Sequence, residues 1–197
     1  MNVRTPLESL RSATRERHRA LEAMPSQQRL LQSDYRLAEY RSLLQRLYGF
    51  YMPLASALDN RSAWSVRVTD RAELLAHDLR DLGSTAADLR ELARCEDLPM
   101  LDTCDRVLGC RYVMEGATLG GRVIVKHLER TFREFGGTPM RFFAGDGTVT
   151  AKRWLESCAI VNAEATDFDQ LCATACATFD AMAAWLESSA STGDVPA

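Results

Sequence analysis

Residues 112–128, YVMEGATLGGRVIVKHL, decide how the chain is read. The stretch leading into them, LDTCDRVLGCRY, and the stretch leading out, VIVKHLERTF, carry helical periodicity, so 102 to about 135 reads as one long helix. Three glycines, Gly116, Gly120 and Gly121, fall inside it. Each costs about 1 kcal/mol against alanine in a helix interior, roughly 3 kcal/mol together. Tyr112, Gly116 and Gly120 recur every four residues and share a face, with Ala117 and Ile124 beside them. Such a face lets another helix, or a flat ligand, approach the backbone closely. Glycines also loosen the hydrogen-bond ladder and permit a kink. Taken alone, the pattern leaves both occupants open.

Phosphate chemistry is excluded at this stretch. GATLGG follows no strand, lacks the G-x-G-x-x-G spacing, and has no Lys-Ser/Thr pair of a P-loop. No Glu-x-x-His motif occurs, which argues against a di-iron bundle, and Glu73 with His77 lacks a partner motif.

Outward from the glycines, helical periodicity dominates and no run alternates as a strand does. Thr5-Pro6-Leu7-Glu8 combines an N-cap, a proline at the first helical position and a capping-box glutamate, and Pro25 marks the end of that helix. A second helix is expected from Ser33-Asp34 to about 60, bent or broken at Gly49 and Pro53. RSAWSVRVTD (61–70) reads as loop, 71–82 and 85–95 as helices parted by Gly83-Ser84, and 136–148 as a glycine-rich loop. Helices over about 149–163 and 167–189 follow. The expectation is one all-α domain over 1–189, with a flexible tail at 190–197.

With 197 residues, 46% hydrophobic, 26% charged and a net charge of −3, the composition is that of a globular domain. Nothing in that balance points to nucleic acid. No apolar run approaches the roughly 18 residues that span a bilayer, and the N-terminus lacks a secretory apolar core. A cytoplasmic protein with reduced cysteines is expected. The six cysteines form no C-x-x-C pair; Cys172 and Cys176, four apart, read as small core residues.

Of three histidines, His77 and His127 lie among charged residues and read as surface or boundary positions. His18 is different. Leu7, Leu10, Thr14, Leu21 and Met24 form the apolar stripe of the first helix, and His18 sits at its edge, on one line with Arg11 and Glu22. A carboxylate one turn from an imidazole can orient it as a metal ligand requires. The same row also suits a boundary histidine with an ordinary i,i+4 partner.

Together the two segments resemble heme oxygenases. LRSATRERHRALE is similar to that family's proximal helix, and YVMEGATLGGRVI to its glycine-bearing distal helix, about a hundred residues apart and in family order. The form of the distal motif is closest to the bacterial branch often found with phytochromes. The resemblance implies an all-helical fold that sandwiches heme between proximal and distal helices. It makes His18 the iron ligand, Glu22 the carboxylate that contacts it, and Arg11 and Tyr112 partners of the heme propionates. Gly116 and Gly120 become the catalytic distal glycines over the heme face, with Ala117 and Gly121 beside them. Lys152 and Arg153, just before WLESCAIV, fall to the propionates and Phe179 to the pocket lining.

The activity implied is oxidative cleavage of heme, both substrate and cofactor, to biliverdin, carbon monoxide and ferrous iron. It consumes O2 and electrons from an external donor, a ferredoxin or reductase, and a phytochrome is the implied acceptor of the bilin. One departure stands out: where mammalian-type members carry an aspartate after the first distal glycine, this chain has Ala117, which leaves proton handling to water, backbone groups or a side chain such as Thr118. Two other readings fit the same residues: a non-catalytic heme carrier or sensor, and a heme-free helical interaction protein.

Overall fold

Thr5 opens α1 (Pro6–Glu22) through the capping box expected of it. Its hydroxyl accepts from the Glu8 N–H at 3.2 Å, and the Glu8 carboxylate accepts from the Thr5 N–H at 2.8 Å. Those bonds hold the Glu8 carboxyl below the usual carboxylate range. Leu10 and Thr14 are buried along the inner stripe. Pro25 lies just past the end of α1, and it also begins α2 (Pro25–Leu30), because a proline at the first helical position needs no N–H partner.

The computed structural model describes residues 4–58, 65–133, 137–145 and 147–188, and among these there is no strand, in agreement with the all-α reading. A bend or a break is expected at Gly49 and Pro53, and α3 (Leu37–Ala57) runs through both unbroken. Pro53 has no N–H for the Gly49 carbonyl four residues back. The Cys95 N–H supplies the bond instead, at 2.9 Å. It can come so close because Gly49 lacks a side chain: a Cβ there would overlap the Ala93 carbonyl oxygen. A tertiary contact therefore rescues a helix that its own sequence interrupts.

α4 (Ser65–Asp81) extends into the stretch expected to be loop, of which 61–64 lies outside the described residues. Gly83 closes α4 in a left-handed conformation (φ 87°), its N–H bonded to the Arg80 carbonyl and that of Ser84 to Leu79, both at 2.9 Å. α5 (Ala86–Glu91) is shorter than the 85–95 expected, since Leu92 turns extended. The long glycine-bearing helix is not continuous. It divides into α6 (Cys104–Gly116), a 3-10 turn (Ala117–Gly120) and α7 (Gly121–Thr131). The expected loop at 136–148 carries a short helical turn, α8 (Arg141–Ala144). α9 (Thr150–Glu164) and α10 (Phe168–Glu187) complete the described chain, and the expected tail at 190–197 lies outside it.

α10 is the central support, packed against α6 and α1, while α3 and α4 pair beside them. One apolar cluster gathers Tyr40, Phe50, Leu54, Leu75 and Leu128 from α3, α4 and α7. A second, with Leu10, Leu108, Val161, Leu171 and Phe179, joins α1, α6, α9 and α10. The α6–α10 seam is tightest at Gly109, where a Cβ would overlap the Leu171 carbonyl oxygen. Gly109, which is not one of the three that draw the eye in sequence, is thus a helix-packing glycine of this segment. α1 also joins α10 through Arg17, whose guanidinium donates to Asp180 at 2.8 Å. Cys172 and Cys176 are half-buried on α10; Cys172 packs against the second cluster, and the Cys176 thiol points to the Ala13 carbonyl at 3.5 Å. All six cysteines are free.

Candidate active site

Because α1 and α6 both rest on α10, a cavity of about 870 Å³ remains between α1 and the α6–α7 junction. Its size falls within the roughly 300–1,000 Å³ of ligand and cofactor sites. α9 contributes Trp154 to its lining, and α10 contributes Phe179 and Met182.

The α1 wall carries His18, Arg11 and Glu22, the row expected from the helical wheel. His18 stands at the edge of the apolar stripe with 57% of its side chain exposed. Its Nδ1 lies 3.4 Å from Glu22 Oε2, which leaves Nε2 as the nitrogen available to a ligand. The Phe179 ring meets the imidazole edge-on, with centroids 5.9 Å apart and planes at 75°. Glu22 and Phe179 together restrict how the imidazole can turn.

The opposite wall is the 3-10 turn and its flanks, with Gly116, Ala117, Leu119 and Gly120. Gly116, Gly120 and Gly121 all keep right-handed helical dihedrals (φ −59°, −73° and −56°), so none is there for an unusual backbone angle. Their value is the missing side chain. A Cβ on Gly120 would meet nothing within 4 Å, so that position opens to the cavity. One on Gly116 would touch the Trp154 ring at 3.5 Å, an ordinary contact. The interruption itself takes the form of tightened i→i+3 turns, a form that recurs at functional hinges.

Tyr112 sits at the edge of the cavity, its ring 5.4 Å from that of Trp154. Burial pushes its hydroxyl pKa up, opposed by a hydrogen bond with the Thr14 side chain and by the nearby Arg11 charge. Arg15 and Arg19 join Arg11 in the lining, so one edge of an otherwise largely apolar chamber is cationic.

Three of the residues expected at the site do not line the cavity. Gly121 is buried on the far side of the junction, where a Cβ would overlap the Phe143 carbonyl oxygen. Lys152 is 77% exposed and lies 3.8 Å from Glu156 on its own helix. Arg153 is also absent from the lining. The reason is rotational phase: Trp154, Cys158 and Val161 follow one another at steps of four and three along the inner face of α9, and 152 and 153 fall off that face. That periodicity is the signal by which Trp154 is legible in sequence. Arg15 and Arg19 are legible as the next two steps of four from Arg11. Thr118 does not line the cavity either, and its hydroxyl donates to the Glu115 carbonyl at 2.7 Å.

Among the described residues, no three His, Cys, Asp or Glu side chains converge to hold a bare metal ion, and no helix is long and apolar enough to cross a membrane. What the chamber fits is a flat apolar ring with an anionic edge and an axial ligand position: one imidazole on the first wall, no side chain at Gly120 on the second, cations at the rim.

No curated protein matches the sequence. The sequence profile of the family described as heme oxygenase matches residues 5–188, nearly the whole chain and every element that builds the cavity. The chain belongs to the heme oxygenase family, oxidoreductases that act on heme.

Proposed function

We propose that this protein opens heme to biliverdin, carbon monoxide and ferrous iron, with O2 and electrons from a ferredoxin or reductase, and that the bilin passes to a bacterial phytochrome. The observation that carries this reading is the facing of His18 and Gly120 across one chamber. Bound heme supplies the iron that activates oxygen and the ring that is opened. The protein's part is orientation, electrostatics and exclusion.

On the α1 side, Glu22 engages Nδ1 of His18, so Nε2 would be the nitrogen that holds the iron. Arg11, with Tyr112 beside it, would hold the anionic propionates at the rim and so orient the ring. On the distal side, Gly116 and Gly120 bring no side chain to the wall and would leave that face of a bound heme open to a small ligand. Ala117 and Leu119 bring no polar side chain to that wall, and the Thr118 hydroxyl is bonded to Glu115. Protons at the distal face are therefore handled by main-chain groups and water.

The test is reconstitution with hemin followed by aerobic turnover with a ferredoxin–reductase couple. The expected result is a histidine-ligated Soret band that decays as biliverdin absorbance and carbon monoxide appear. Stable ferrous–oxygen or ferric spectra without biliverdin would replace the enzyme with a heme carrier, and absence of a Soret band would remove heme from the reading.

A further inference from the structure

The distal wall is held from behind by a buried carboxylate outside the cavity. Asp78, on α4, is 0% exposed. Its Oδ1 accepts from the Arg141 N–H at 3.1 Å and its Oδ2 from the Phe142 N–H at 2.9 Å, and the Arg141 guanidinium adds a bond to Oδ1 at 3.2 Å. The first turn of α8 is thereby fastened to α4. Further contacts hold the same turn. The Tyr40 hydroxyl donates to the Pro139 carbonyl at 3.0 Å, the Tyr51 ring meets Phe142 edge-on at 5.3 Å, and the Arg71 guanidinium lies 4.3 Å over Phe142. α8 is thus a fixed block. Its Phe143 carbonyl oxygen abuts Gly121 so closely that no Cβ fits between them. Gly121 is the first residue of α7, and its neighbour Gly120 faces the cavity.

We infer that Asp78 is a positioning residue for the distal wall: it fixes α8, and α8 fixes the height of the 3-10 turn through the contact of Phe143 with Gly121. Gly121 then serves as the bearing surface of the distal segment rather than as its bend. The wall's position is set by rigid packing from outside the chamber, which suits a wall whose Gly116 and Gly120 carry no side chains to brace it. The inference deepens the proposed function and rests on it only where bound heme is the probe.

Three variants test it: Gly121→Ala, Asp78→Asn and the double substitution. Alanine at 121 drives a wedge between α7 and α8, which matters only while α8 cannot yield. Asparagine at 78 can accept through one oxygen alone, so one α8 N–H loses its partner. In the heme-free protein, Asp78→Asn should speed hydrogen exchange at amides 117–122 by about tenfold while α1 is unchanged. In the ferric hemin complex, Gly121→Ala should change azide affinity by about fivefold or more, and the double variant should return toward wild type, a non-additivity typical of coupled neighbours. The Soret band from His18 ligation should stay as it is in all three.

Additive effects on azide affinity, or unchanged exchange at 117–122 in Asp78→Asn, would overturn the inference. Should Gly121→Ala fail to fold, the exchange measurement on Asp78→Asn decides by itself. A wild-type protein that binds no hemin would remove the heme reading while leaving the exchange measurement to decide this one.

Discussion

Glu22 Oε2 stands 3.4 Å from Nδ1 of His18, one turn further along α1. Under the proposed function the pair would make the histidine a directed ligand, because a carboxylate on one ring nitrogen selects the other for coordination and strengthens its donation. Glu22→Gln should keep hemin binding but weaken it by about tenfold, within the range for outer partners of ligand histidines. Resonance Raman spectroscopy should show the iron–imidazole stretch at lower frequency. An unchanged stretch would mean that Glu22 does not act on the ligand.

His18→Ala should abolish the histidine-ligated spectrum and turnover. Free imidazole should restore the spectrum, since the chamber walls of Phe179, Tyr112 and Gly120 remain. A variant that still degrades heme normally would place the iron ligand elsewhere.

The glycines of the α6–α7 region should part into two classes under substitution. Gly109→Ala should destabilise the fold by about 1–3 kcal/mol, because the methyl overlaps the Leu171 carbonyl oxygen. Gly116→Ala should be neutral or stabilising by up to about 1 kcal/mol, given helical dihedrals and an ordinary contact with Trp154. Gly120→Leu should melt like wild type yet block oxygen and azide at the distal face. Urea denaturation and ligand titration read the two effects separately.

Arg11→Gln should lower hemin affinity on the order of tenfold while leaving the dimethyl ester of hemin unaffected. Equal losses for both ligands would show that Arg11 acts by packing and not on the propionates.

Away from the chamber, Arg29 donates to both oxygens of Glu39, at 2.8 and 3.0 Å, and draws its carboxyl down to about 2. The folded value lies below the ordinary 4.5, so the stabilisation is complete above that pH and fades as pH falls toward 2. Glu39→Gln should therefore melt roughly 2–4 °C lower at pH 7. The gap should close progressively in melts taken below pH 4.5; a gap independent of pH would assign the loss to packing.

Much of the chamber is local and therefore readable from sequence. The capping box at Thr5 and the row Arg11, His18 and Glu22 depend on spacing along one helix, and helical periodicity determines them. Tyr112, Gly116 and Gly120 likewise share a face because of a step of four. What sequence could not decide depends on partners distant in the chain. Whether Pro53 breaks α3 turns on a donor from Cys95. Which glycine packs and which opens turns on Leu171 for Gly109, Phe143 for Gly121 and the cavity for Gly120. The resemblance implies Lys152 and Arg153 at the propionates, but the rotation of α9, set by burying Cys158 and Val161, brings Trp154 to the wall instead. Periodicity thus determined the faces of the helices, and tertiary packing decided what each face meets, because a missing side chain has no meaning until something approaches it.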